Sequence, residues 1–354
     1  MDFKAFEKFI TTANKMCSSA SKIVANGEKI LAVASGTNYT ATIGMYAPEQ
    51  LPFIITVETA VSLVAAGKAI KAKTIRLVDG IAYIDSLKIP YELDGLDEWE
   101  TIPTIEYGDK LEVNGEIVKR MLDILEKTDD MPFQILHVFI DTANNLFATN
   151  GYILAAKFSS ENLEIGDTKA VIPYLVAFLN LANASFFAIP NNHGCYVTDK
   201  QCFILYQLSA EAENYEVKRN FTNTGVRKVL EPTVSDCKNG RKTIIKNDMI
   251  NFLRETNTSY YRRLDVTDSF AKIIRINVPS KKNKFHTEDD LTIFEQEIES
   301  KGDFKVNGNF LYQLIRVFGT DSVTIYQGKD LSLLVTPNNN NNTQFIGVIM
   351  PMHQ

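Results

Sequence analysis

Cysteine is scarce in this sequence and never paired. The four present, Cys17, Cys195, Cys202 and Cys237, include no CxxC, so the reading is free thiols, buried or incidental, in a reducing cytoplasm. Histidine is equally sparse: His137, His193, His286 and His353 stand apart, and none pairs with another His or Cys at metal-ligand spacing. No metal site is therefore expected. No GxSxG elbow, HExxH or P-loop occurs, and Gly67-Lys68 lacks both the preceding glycine and the following Ser or Thr. The acidic pairs Asp97-Glu98, Asp129-Asp130 and Asp289-Asp290 fall in polar stretches and read as solvated. These gaps exclude the common catalytic constellations, so the expectation is a protein that is not an enzyme and needs no cofactor. Long apolar runs are missing too, and nothing approaches the roughly 20 residues that span a bilayer. Met1-Asp2-Phe3-Lys4 opens into an amphipathic pattern without a signal-peptide core. A soluble, cytoplasmic chain with no membrane partner is expected.

What the sequence does contain is material for large cores. At 354 residues, with 45% hydrophobic and 23% charged residues, it exceeds one ordinary core and predicts two or three domains. A net charge of −6 argues against coating nucleic acid with the whole surface. It leaves open a basic patch inside an acidic shell.

One pattern returns three times. Each round starts with an amphipathic helix: Phe6, Phe9, Ile10, Ala13 and Met16, then Ile117, Val118, Met121, Leu122 and Leu125, then Met249, Ile250 and Leu253. Alternating, hairpin-punctuated sequence follows, with turn signals at Asn26-Gly27 and Asn144-Asn145 and an isoleucine-rich stretch over 272–278. A short strand then leads into a second helix over 60–66, 175–181 and 310–318. Thr56 and Asn307 suit N-caps there, and Pro173 suits a first turn. Another hairpin closes each round, turning at Asp79-Gly80, at 190–194 and at Gln327-Gly328. The acidic stretch 92–100 followed by Pro103 reads as a first linker. Residues 209–242, mixed in charge and weakly periodic, contain a second, and the asparagine run 338–342 reads as a solvated hairpin loop. The expected architecture is α+β, in three tandem copies of one domain over residues 1–104, 105–225 and 226–354.

Several segments resemble the bacterial DNA polymerase III beta subunit, the sliding-clamp family, phage-encoded members included. Val348-Ile349-Met350-Pro351-Met352 is similar to that family's VVMPM terminal segment. Ala148-Thr149-Asn150-Gly151-Tyr152-Ile153-Leu154-Ala155 is similar to its ATDGHRLA stretch, Leu96-Asp97-Glu98-Trp99 to its LDDW, and Val118-Lys119-Arg120-Met121-Leu122 to its basic second-domain helix. The likeness runs the length of the chain in order. It departs where Asp-Gly-His-Arg becomes Asn150-Gly151-Tyr152-Ile153, and it fails over 214–243.

The resemblance implies clamp domains, each with two helices packed on antiparallel sheets, closing as a homodimer into a head-to-tail ring. Such a ring would encircle double-stranded DNA without reading its sequence. It would be loaded by a clamp loader and would tether the replicative DNA polymerase as a processivity factor in DNA replication. The alternative is a clamp-fold scaffold or interaction protein that does not encircle DNA. Cations on the inward helix faces would meet phosphate, and the candidates are Lys8, Lys15, Lys68, Lys119, Arg120, Lys127, Lys246, Arg254 and Arg316. Singly, each reads more readily as a solvated side chain on a helix surface; the set carries more weight than its members. The resemblance also implies a cleft for hydrophobic partner peptides, built from Thr149, Gly151, Tyr152, Leu154, Pro173, Phe310, Val348, Met350, Pro351 and Met352. By residue pattern alone, Val348 to Met352 could equally be an ordinary terminal strand; methionine does suit a surface that accepts several partners.

Overall fold

The computed structural model describes every residue except 20, 26, 49, 93–105, 126–136, 161–162, 213–224, 255–259, 268, 278–290, 299–301, 330–331, 339–343 and 353–354. The chain folds into two compact units, Met1–Glu116 with Lys169–Val217, and Ile117–Thr168 with Lys218–Gln354. The first series of elements is α1 (Phe3–Met16), β1 (Lys22–Ala25), β2 (Lys29–Ser35), β3 (Tyr39–Tyr46), β4 (Phe53–Thr56), α2 (Val57–Ala69), β5 (Ile75–Val78), β6 (Ile81–Ile84) and β7 (Leu87–Pro90). The second is α3 (Gly115–Leu122), β8 (His137–Asp141), β9 (Leu146–Thr149), β10 (Ile153–Lys157), β11 (Thr168–Pro173), two 3-10 turns, β12 (Ser185–Ile189), β13 (Asn192–Thr198) and β14 (Cys202–Leu208). A single helical turn α4 (Ala210–Ala212), helix α5 (Arg227–Cys237) and strand β15 (Arg241–Lys246) precede the third. That series is α6 (Asn247–Leu253), β16 (Tyr260–Val266), β17 (Phe270–Asn277), β18 (Leu291–Glu297), β19 (Phe304–Asn307), α7 (Gly308–Phe318), β20 (Ser322–Gln327), β21 (Leu333–Pro337) and β22 (Phe345–Ile349). The order helix, four strands, helix, three strands thus governs the first and third series. The second replaces its later helix by 3-10 turns.

In the first unit a seven-stranded antiparallel sheet runs β12-β13-β14-β3-β2-β1-β4, beside a three-stranded sheet β5-β6-β7. Helix α1 starts where the Asp2 carboxylate accepts from Ala5 N at 2.8 Å, a cap of the kind that stabilises by about 1 kcal/mol. Its buried stripe is Phe3, Phe6, Phe9, Ile10, Thr12 and Ala13, and Lys4, Lys8 and Lys15 face solvent. Truncating a fully buried ring such as Phe6 or Phe9 to alanine typically costs ~3–5 kcal/mol. Helix α2 begins at Thr56, whose hydroxyl accepts from Thr59 N at 3.1 Å, and packs on α1. The two approach so closely that a Cβ at Gly67 would collide with the Phe3 ring. Asp79 and Gly80, at φ 47° and 77°, form the two-residue turn between the paired Val78 and Ile81. On the other hairpin of this small sheet, Asp85 accepts from Lys73 N, Thr74 N and the Thr74 hydroxyl, at 2.9, 2.9 and 2.8 Å. Those bonds hold its carboxyl below the usual carboxylate range.

In the second unit the sheet strands run β8-β9-β10-β22-β21-β20-β15, and a four-stranded sheet runs β18-β17-β16-β19. Asp141 is buried at the end of β8. Its carboxylate accepts from the backbone of Ala143, Asn145 and Gly166 and from Asn145 Nδ2, at 2.8–2.9 Å, so the buried charge is fully bonded. Helix α7 starts at Asn307, which accepts from Asn309 N, and ends at Gly319 in the left-handed region. It buries Leu311, Leu314, Ile315, Val317 and Phe318. Among the described residues no helix is long and apolar enough to cross a membrane.

One expectation fails. The helix expected over 175–181 is a 3-10 turn over Tyr174–Phe178 and another over Leu181–Asn183. Pro173 provides no capping side chain, and the Asn180 N–H bonds the Asp199 carboxylate at 2.7 Å, which draws it out of a helical ladder. The weakly periodic stretch 209–242, expected to contain a linker, also holds α5 and leads into β15, which pairs with β20 from Arg241↔Gln327 to Lys246↔Ser322. Pro232 inside α5 hides the helix from propensity, because proline lacks the N–H for the i−4 carbonyl. The linker signals within 93–105 and the asparagines 339–342 lie outside the described residues.

Candidate functional site

The turn between β9 and β10 is built from its own hydrogen bonds. Asn150 Oδ1 accepts from the N–H groups of Tyr152 and Ile153, both at 3.0 Å. Thr149 Oγ1 donates to the Ile153 carbonyl at 2.7 Å and accepts from Gly151 N at 3.1 Å. With these polar groups turned on one another, the turn presents apolar surface. An asparagine does this as well as the aspartate expected by resemblance, since only the accepting oxygen is used.

Strand β22 lies beside β10, with Ile153 opposite Ile349 and Leu154 opposite Val348. Met350 N donates to the Tyr152 carbonyl at 3.1 Å, and Met352 N to the Lys305 carbonyl at 2.7 Å. The segment after β22 is therefore fastened on two sides. Its Met350 side chain stays 53% exposed.

These elements enclose an apolar pocket of about 210 Å³, lined by Thr149, Gly151, Tyr152, Ile153, Leu154, Gly225, Val226, Val229, Val348 and Met350. That is smaller than the ~300–1,000 Å³ of typical small-molecule sites, and it suits one or two apolar side chains better than a cofactor. Tyr152, 60% exposed, stacks on Phe310 with ring centroids 5.1 Å apart and planes 15° apart. The stack makes a firm aromatic edge.

Six of the ten residues expected at a cleft line this pocket: Thr149, Gly151, Tyr152, Leu154, Val348 and Met350. Phe310 joins through its ring contact with Tyr152. Pro351 and Met352 follow Met350, half-buried, outside the lining, and Pro173 ends β11 in the other unit. Sequence reasoning missed Ile153 and the wall formed by Gly225, Val226 and Val229. A signal existed, because Val226, Val229, Leu230, Thr233 and Cys237 fall at helical spacing.

The basic candidates divide between the units. In the first, Lys8 and Lys15 lie two turns apart on the exposed side of α1, and Lys68 is exposed near the end of α2. Lys8 Nζ stands 5.8 Å from the centre of the Phe178 ring. In the second unit, Lys119 and Arg120 occupy the last turn of α3, Lys246 precedes α6, Arg254 follows it, and Arg316 is exposed in the last turn of α7. The Arg254 guanidinium lies 5.9 Å from the centre of the Tyr312 ring. Lys127 lies outside the described residues.

No protein-family model and no curated protein matches this chain. Solved structures do match. The DNA polymerase III beta subunit of Thermotoga maritima superposes with a TM-score of 0.68 at 11% identity, over 100% of this chain and 98% of that one. The Pseudomonas aeruginosa subunit gives 0.67 at 12% identity, over 100% and 99%. A sliding clamp from the same organism bound to griselimycin gives 0.66 at 14% identity, over 100% and 98%. The chain has the fold of the DNA polymerase III beta-subunit sliding clamps, along its whole length.

Proposed function

We propose that this chain is a DNA sliding clamp, a non-catalytic processivity factor that encircles duplex DNA as a homodimer and tethers a replicative polymerase. The observation that carries this reading is the fold likeness to sliding clamps over the whole chain. The threefold order of elements supports three clamp domains over 1–104, 105–225 and 226–354, so that two chains close six domains head to tail. Lys8, Lys15, Lys68, Lys119, Arg120, Lys246, Arg254 and Arg316 are assigned to the inner surface, where they attract phosphate without reading bases. The pocket beside Tyr152 and Met350 is assigned to a hydrophobic segment of the polymerase or loader, with Pro351 and Met352 completing the cleft.

Topology makes the test direct. The protein is incubated with a linear duplex biotinylated at both ends, streptavidin is added to block the ends, and the complex is isolated at high salt. A ring stays on the blocked duplex, leaves when a restriction enzyme cuts it, and has twice the chain mass in native mass spectrometry. A monomeric mass, or retention after cutting, would reject encirclement.

A further inference from the structure

Three of the cations assigned to the inner surface are held against carboxylates. Lys68 Nζ lies 2.8 Å from Glu7 Oε1, Arg316 Nη2 lies 3.3 Å from Asp123 Oδ2, and Lys8 Nζ lies 3.8 Å from Asp199 Oδ2. The third carboxylate has other duties. Asp199 is 3% exposed and accepts from the backbone of Asn180, Gln201 and Cys202, so it organises the β13–β14 turn. Glu7 and Asp123 are different, with 32% and 47% of their side chains exposed. Glu7 follows the exposed face of α1 next to Lys8. Asp123 comes one residue after α3, three positions from Arg120 and four from Lys119, the spacing at which helical side chains meet.

We propose that Glu7 and Asp123 are built-in counterions that hold down the grip of this surface on DNA. The proposal rests on the clamp reading above. A cation that already faces a carboxylate must exchange it for a phosphate, and fewer condensed ions are released when it does. Because exposed ion pairs are weak, the carboxylate competes with phosphate without excluding it. The consequence is contact that forms and breaks easily, which suits a protein that must move along the duplex.

The experiment compares the wild type with the double variant Glu7→Gln, Asp123→Asn, both as full-length chains, by fluorescence anisotropy on a labelled duplex. The control is Glu295→Gln, which releases Lys272 from an equally exposed pair at 3.0 Å between β17 and β18, on a sheet rather than a helix face. Freeing two cations steepens the log K against log salt slope by about 1.8, so raising salt from ~50 to ~200 mM costs the double variant about 10-fold more affinity than the wild type. At the lowest salt the double variant binds more tightly, whether or not the wild type binds measurably, and the control matches the wild type. A wild type that binds with the same slope as the double variant overturns the counterion role and leaves the clamp reading standing. A control that steepens equally also overturns it, because any lost negative charge would then suffice. Absence of binding in all three proteins overturns the counterion role, because freeing two cations then adds no grip, and leaves the clamp reading to the end-blocked duplex.

Discussion

Tyr152→Ala is the sharpest probe of the pocket. The ring is 60% exposed and stacked on Phe310, so a docking side chain would cover its outer face. Full burial of an aromatic side chain removes ~150–250 Å², which leaves about 90–150 Å² for a partner to cover. At ~25 cal/mol per Å² the ceiling is about 2–4 kcal/mol. Interfaces realise only part of such a ceiling, because ordering the partner costs entropy. Taking half gives about 1–2 kcal/mol, or roughly 5–30-fold in Kd. The fold should tolerate the change, since the hydrogen bonds of the turn come from Thr149, Asn150 and the backbone. The assay begins with short hydrophobic peptides selected from a displayed library on the wild-type chain. Their affinities are then measured by calorimetry for wild type, Tyr152→Ala and Tyr152→Phe. The alanine variant should lose affinity by that factor while its melting temperature falls by no more than a few degrees from the lost stack on Phe310, and the phenylalanine variant should retain both. Equal affinity for all three chains would refute the assignment of this pocket as the docking site.

Two further outcomes follow from local geometry. Gly319→Ala places a side chain at φ 65° and a Cβ against the Arg120 guanidinium. Left-handed backbone costs a non-glycine residue about 1–2 kcal/mol, so the melting temperature should fall by a few degrees. An unchanged transition in calorimetry would show that the helix end does not hold this conformation. Asp85→Asn tests the lowered carboxyl. Because the folded-state pKa lies below the unfolded one, ionised Asp85 contributes stability above the ordinary carboxylate range, and that contribution disappears as pH falls through the folded value. Melting curves should therefore show wild type above the variant at pH ~6, with the gap closing below pH ~4. A gap constant across that range would contradict the bonding described for Lys73 and Thr74.

How much of this could be read beforehand depended on whether the signal was local. Helix α1 announces itself through Asp2 and the spacing of Phe6, Phe9 and Ile10, and the Asp79-Gly80 hairpin through turn chemistry alone. The segment 175–181 misled because Leu, Val, Ala and Phe favour a helix, whereas the deciding bond comes from Asp199, distant in sequence and supplied by a hairpin turn. Helix α5 was hidden by Pro232, and with it one wall of the pocket. The other wall was legible only by resemblance, because no periodicity tells a terminal strand that lines a pocket from one that merely ends a sheet. Superposition on clamps at 11–14% identity has the same physical basis. An antiparallel ladder, a capped helix start and a buried stripe each require a kind of residue at a position and not a particular one, so Thr56 and Asn307 can both start helices from equivalent places in the element order. What such substitution does not carry along is charge. The fold does not fix the carboxylates beside Lys68 and Arg316, and their effect on the proposed contact with DNA must be measured on this chain.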